Sequence, residues 1–241
     1  MKLFKILLGK IHRYNRVREL NKTSHQLNSL ALNSVEEVTR ILFTEYERFF
    51  WTKQVQGEFE ELLRIFHNRK PQIILEIGTA TGGSLFAFTK LAPANALIIS
   101  IDLPYGMFGG GYDMDRKKFY ETFSGKNQKL FLLQEDSHKI ETFEKVKNIL
   151  GKRRIDFLFI DGDHTLEGVR TDCEMFSQLC NINSFIAFHD VAEHHPNSAC
   201  KVHEFWNEIK YEFAHSLELI EDKNQAWAGI GIVSKSPLNE E

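Results

Sequence analysis

The sequence predicts an α/β protein, with a doubly wound, mainly parallel sheet over residues 55–241 and a helical appendage over residues 1–54. Three observations carry that expectation. Apolar runs of strand length recur after residue 72, separated by helix-length segments, and they are apolar on both faces rather than alternating. A glycine-rich turn follows the first run, and four of the five runs end in acids. Strands buried on both faces belong to parallel sheets covered by helices. Ligands of such sheets bind outside the carboxyl ends of the strands, where strand order reverses.

The first 40 residues carry eight Lys or Arg against three Glu, and Leu3, Phe4, Ile6, Leu7, Leu8 and Ile11 make the opening turns amphipathic. The apolar run is too short and too charged to span a bilayer. Docking on a second subunit, giving a homo-oligomer, or on the chain's own domain is expected ahead of an interfacial membrane anchor. Ser34 to Glu37 reads as a capping box opening a helix that runs through Trp51. Another helix, Gly57 to Asn68, stops just before Pro71.

Residues 73–77 form the first strand, ending Glu76-Ile77, and Gly78-Thr79-Ala80-Thr81-Gly82-Gly83-Ser84 is the turn. Gly78 permits a sharp bend, Gly82 and Gly83 allow close approach of a ligand, and the next helix offers unpaired amides. The spacing is not Gly-x-Gly-x-x-Gly and no Gly-Lys-Ser/Thr follows, so neither NAD nor ATP is indicated. Further strands are expected at 96–101, closed by Asp102; at 129–134, closed by Glu135-Asp136-Ser137; at 155–160, running into Asp161-Gly162-Asp163-His164; and at 184–188, closed by His189-Asp190. Residues 227–233 read as a last strand.

Glu76 to Ser84, Asp102, Asp136-Ser137, Phe159 to Thr165 and Phe188-His189-Asp190 together resemble class I S-adenosylmethionine-dependent methyltransferases. The likeness is closer to the branch holding cephalosporin-hydroxylase-like proteins and metal-dependent macrolide-sugar O-methyltransferases. It spans roughly residues 55–235 and implies a Rossmann-like, seven-stranded sheet whose last strand pairs antiparallel beside the fifth. The resemblance implies that Gly78, Thr79, Gly82, Gly83 and Ser84 contact the amino-acid end of S-adenosylmethionine, with Glu76 holding the turn or receiving the ammonium. Asp102, near the usual 20-residue offset for a ribose-binding acid, would take the ribose hydroxyls or merely form a turn before Pro104. Asp136 and Ser137 would bind adenine or cap the helix from Ile140.

The same resemblance implies a divalent metal, usually magnesium, on Asp161 and Asp190, with His189 where an acid often stands. Imidazole among the ligands favours a transition ion, and His189 could equally support the ligands from behind. Asp161 also fits as a cap for the segment from Thr165. His164, three residues after Asp161, is implied as the general base for a hydroxyl acceptor, or as a partner of Asp163. His194 and His195 read as solvated loop residues or as zinc ligands with His189. Tyr105 to Tyr112 suits a mobile flap with Phe108 and Tyr112 as apolar contacts, or a flexible surface loop.

A net charge of −3 gives no reason to expect nucleic-acid binding. Cys173, Cys180 and Cys200 are odd in number without metal-site spacing, and a reducing cytoplasm is the expected compartment. The expected activity is metal-assisted O-methylation of a small polar acceptor, a sugar or secondary-metabolite hydroxyl. A metal-dependent hydrolase or oxygenase-like enzyme, and a catalytically silent cofactor-binding subunit, are the alternatives.

Overall fold

The computed structural model describes residues 2–238, with side chains from residue 11 onward. The apolar residues expected on the first turns, Leu3 to Leu8, have side chains outside the described residues. Seven strands form one sheet: β1 (Ile73–Ile77), β2 (Leu97–Ile101), β3 (Lys129–Leu133), β4 (Ile155–Ile160), β5 (Cys180–His189), β6 (His215–Leu219) and β7 (Ile230–Ser234). Their order is β3-β2-β1-β4-β5-β7-β6, parallel through β5, with β7 antiparallel to both neighbours. The chain leaves β1 toward β2 and β3, then returns to place β4 on the other side. The reversal therefore falls between β1 and β4, at the glycine turn.

Both faces of the sheet are covered because β1 is apolar on both. Ile74 joins a phenylalanine-rich cluster with Phe66, Phe88 and Phe157, whereas Ile73, Leu75 and Ile77 join a second cluster with Val146, Val169 and Trp206. In the first layer the rings of Phe88 and Phe157 meet edge-on with centroids 5.0 Å apart. Such pairs add roughly 0.5–1.5 kcal/mol beyond area burial.

The helices are α1 (Lys2–Ser29), α2 (Val35–Arg40), α3 (Glu47–Phe50), α4 (Gln56–Arg69), α5 (Gly83–Leu91), α6 (Met114–Glu121), α7 (Ile140–Leu150), α8 (Leu166–Phe176) and α9 (Val202–Ile209). Ser34 accepts the Glu37 amide and Glu37 accepts the Ser34 amide, which is the expected capping box. The single helix expected from there to Trp51 is interrupted. A π-helical turn, Ile41–Glu45, separates α2 from α3, and Trp51 at φ 42° ends α3 in the left-handed region. The turn lets Ile41, Leu42 and Phe50 all enter the first cluster, and the left-handed residue releases residues 51–54 across the sheet edge.

α1 docks on its own chain. Leu20 and Leu27 are buried in the first cluster, Arg13 and Arg16 pair with Asp115, and Ser24 donates to Thr122 at 2.9 Å. No helix among the described residues is long and apolar enough to cross a membrane. Strand β7 starts at Ile230 rather than at 227, because Ala228 and Gly229 hold positive φ and turn the chain into it. Edge strand β6 alternates between partly buried and exposed residues, so it lacked the continuous apolar run that marked the others.

Candidate functional site

Gly78 has a φ of 99°, and a Cβ there would lie 2.0 Å from the Asp161 carbonyl oxygen. Its amide donates to Ile101 O at 2.8 Å while the Asp161 amide donates to Ile77 O at 2.8 Å. The ends of β1, β2 and β4 are thus laced together at a residue that must be glycine. Gly83, the first residue of α5, is packed from above: a Cβ there would meet Thr52 Oγ1 at 2.3 Å. Arg116 donates to Thr81 O at 3.0 Å and Tyr120 to Ala80 O at 2.9 Å, which clamps the turn from the α6 side.

Glu76 is fully buried and sits behind the turn, outside the lining of the cleft. It accepts from Ser100 at 2.6 Å, and the Ser100 hydroxyl lies 2.5 Å from that of Thr79, so the acid holds the turn rather than facing a ligand. Burial pushes its pKa up to about 8, which keeps the group neutral at pH 7. Gly82 also lies behind the turn against Tyr120; Gly78, Thr79, Gly83 and Ser84 line the cleft.

Asp102 lines the cleft at the end of β2. Its Oδ2 accepts the Ala80 amide at 3.1 Å and the Gly111 amide at 2.9 Å, tying the turn to the flap. Burial raises its pKa to about 6 in spite of those bonds. Asp136 accepts the His138 amide at 2.9 Å, and Asp136, Ser137 and His138 all line the cleft. Lys139 is the N-terminal residue before α7, so Asp136 shapes the turn without itself capping that helix.

The second constellation assembles around Asp190, held at φ 65°, a conformation uncommon outside glycine. Its Oδ2 lies 2.5 Å from His164 Nδ1, and its Oδ1 lies 3.4 Å from His194 Nε2 and 3.5 Å from His189 Nδ1. Asp161 Oδ1 lies 3.1 Å from His189 Nδ1 and 3.6 Å from His164 Nε2, while its Oδ2 accepts from Gln54 at 3.1 Å. Thr165, not Asp161, caps α8, and His164 pairs with Asp190 rather than Asp163. Burial disfavours a charged His164, but Asp190 and the neighbouring groups override it and push its pKa up to about 10. His189 is likewise raised against its burial by Asp161 and Asp190, and Asp190 is held well below the usual carboxylate range by His189, His164 and His194.

The donor set fits a divalent cation. His189 is 4% exposed and neither ring nitrogen makes an aligned hydrogen bond, although Asp161 is within contact distance. Buried polar atoms left so are costly unless something else satisfies them. Asp161, His189 and Asp190 present ligand atoms all within 4.8 Å of one another. His195 is exposed and outside the cleft, so the histidine set of His189, His194 and His195 is not brought together.

One cleft of about 840 Å3 joins both constellations, inside the roughly 300–1,000 Å3 range of ligand pockets. The flap closes part of it: Phe108 stacks on His164 with ring centroids 4.8 Å apart. Tyr112 is 8% exposed and packs on Tyr120, so it anchors the flap as well as lining the cleft. Trp51, Thr52, Gln54, Arg16, Arg116 and Trp227 also line the cleft and were not assigned to it from the sequence. They come from segments with no motif of their own; only the break in the helix at Trp51 brings the first three there.

The profile of a methyltransferase-domain family matches residues 75–191, just under half of the chain, from within β1 to just past β5. Together with the strand order, this match places a methyltransferase-like domain on a Rossmann-like, seven-stranded α/β sheet. No curated protein matches the chain in sequence. Among solved structures, the chain is similar to the O-methyltransferase from Bacillus cereus in complex with S-adenosylhomocysteine, at 14% identity and a TM-score of 0.58 over 91% of this chain and 100% of that one. It is also similar to TomG from Streptomyces achromogenes, an O-methyltransferase of tomaymycin synthesis in complex with S-adenosylmethionine, at 13% identity and a TM-score of 0.55 over 90% of this chain and 98% of that one. At these identities the likeness is one of fold.

Proposed function

We propose that the protein methylates a hydroxyl group of a small polar acceptor, a sugar or secondary metabolite, with a divalent metal held by Asp161, His189 and Asp190. The observation that carries this reading is the convergence of two carboxylates and two imidazoles beside the glycine turn, in the same cleft as Asp102. S-adenosylmethionine supplies an electrophilic methyl group, and the metal when bound would orient and acidify the acceptor hydroxyl.

The chain's own residues do the rest. Asp102 would accept the ribose hydroxyls, with Asp136 and Ser137 toward the adenine. Gly78, Thr79, Gly83 and Ser84 would line the amino-acid end, and Asp161, in the same cleft, would face its ammonium as well as hold a metal. His164 would take the hydroxyl proton. Asp190 and Asp161 hold it as an imidazolium, so the neutral base form requires that the carboxylate charge be countered by a cation. Holding nucleophile and methyl carbon in line can contribute roughly 7–11 kcal/mol.

The test is Asp190→Ala in the full-length protein, which is expected to abolish metal-dependent turnover and leave S-adenosylmethionine binding in place. Full activity of the wild type in excess chelator would overturn the metal assignment. Mass spectrometry of the purified protein for S-adenosylmethionine or S-adenosylhomocysteine tests the cofactor directly.

A further inference from the structure

Asp190 also faces a sulfur. Cys200 is 6% exposed, is not in a disulfide, and its Sγ lies within 4.8 Å of a ring nitrogen of His164. His164, Asp190 and Cys200 present ligand atoms all within 4.8 Å of one another, a set distinct from Asp161, His189 and Asp190 but sharing Asp190. The segment carrying Cys200 is fixed to the site, since the Lys201 amide donates to His164 O at 2.7 Å and the Cys200 amide to Ser198 at 3.1 Å. At the other oxygen of Asp190, His189 is buried and neither ring nitrogen makes an aligned hydrogen bond, although Asp161 lies 3.1 Å from Nδ1, so the pocket around Asp190 holds polar atoms that a cation would satisfy.

We propose that His164, Asp190 and Cys200 form a second, thiophilic cation site that takes zinc and overlaps the catalytic metal site through Asp190. Hard cations such as magnesium prefer oxygen ligands, whereas a thiolate, an imidazole and a carboxylate match zinc. Zinc bonds of about 2.0–2.3 Å in tetrahedral array place ligand atoms roughly 3.4 Å apart, so His164 and Asp190 part by nearly an ångström when it enters. Cys200 gives up its thiol proton and His164 its imidazolium proton to solvent on binding. Zinc in this site occupies the imidazole that the proposed reaction uses as base and takes Asp190 from the other cation. This inhibitory consequence rests on the proposed function; the binding itself does not.

Cobalt(II) titrated into the full-length protein reports the site without turnover. A thiolate-to-cobalt absorption band in the near ultraviolet is expected for the wild type and is expected to vanish in Cys200→Ser, which keeps Cys173 and Cys180. Zinc affinity, measured by competition with a chromophoric chelator, should fall about tenfold or more in that variant and in His164→Gln. Circular dichroism checks the fold, and Cys200→Ala replaces Cys200→Ser if the serine variant does not fold. A wild type without the band, or a band that survives loss of Cys200, would overturn the site. In magnesium-supported methyl transfer, zinc should inhibit the wild type at about tenfold or more lower concentration than Cys200→Ser, since the Asp161, His189 and Asp190 set is open to zinc in both. Equal inhibition of both would overturn the regulatory role, while absence of any methyl transfer, with the cobalt band intact, would count against the proposed function and not against the cation site.

Discussion

Asp102 and Glu76 are both buried acids beside the glycine turn, yet the structure gives them different work. Asp102 reaches the cleft with one oxygen already engaged by the Ala80 and Gly111 amides, leaving the other for a ligand. Charge-assisted hydrogen bonds are worth roughly 1.5–3 kcal/mol each. Asp102→Ala should therefore weaken S-adenosylmethionine at least about tenfold in calorimetric titration, with unchanged affinity removing Asp102 from the site. Glu76 has no access to the cleft, and its pKa stands near 8 against an ordinary value of 4.5. A group raised in the folded state contributes stability that is complete below its unfolded pKa and is lost as pH rises through the folded one. Wild-type stability should thus decline relative to Glu76→Gln between about pH 4.5 and pH 8. Denaturant melts on either side of that window measure the difference, and parallel curves for the two proteins would show that Glu76 is ionised in the fold.

The decisive element is the turn between β1 and α5. Its geometry depends on the carbonyl of Asp161 lying where a side chain at residue 78 would be. Gly78→Ala adds a 2.0 Å clash with backbone to an unfavourable φ, and backbone cannot move aside as a side chain can. The variant should lose S-adenosylmethionine binding and unfold at distinctly lower denaturant; normal binding at normal stability would mean that the turn is more yielding than its packing implies. The left-handed Trp51 that ends α3 acts at the same scale. It converts a helix into a strap, and the strap puts Thr52 against Gly83 and Gln54 on Asp161.

At the scale of the whole molecule, α1 is part of the fold from residue 11 onward. Leu20 and Leu27 are buried, and each such side chain contributes roughly 1.5–3 kcal/mol. Deleting residues 1–30 should lower stability by about 3–6 kcal/mol in denaturant melts. S-adenosylmethionine affinity should largely survive, since Arg16 alone among the cleft-lining residues lies in the deleted segment and Asp102 and the glycine turn lie outside it. Unchanged stability would show that α1 contributes little as packed. Light scattering on the same variant tests the homo-oligomer expected of these helices, and an assembly state indifferent to the deletion removes them from any subunit interface.

Periodicity and strand-end chemistry made β1 to β5, the glycine turn and the acids Asp102, Asp161 and Asp190 legible, because a strand buried on both faces must be apolar throughout and a sharp turn needs glycine. These constraints act between neighbours in the chain, so they are written locally. Edge strand β6, the break at Trp51, the retreat of Glu76 behind the turn and the pairing of His164 with Asp190 and Cys200 are not written so. Each depends on which distant segments are packed together, and only the tertiary structure brought Gln54, Asp161, Asp190 and Cys200 to one place.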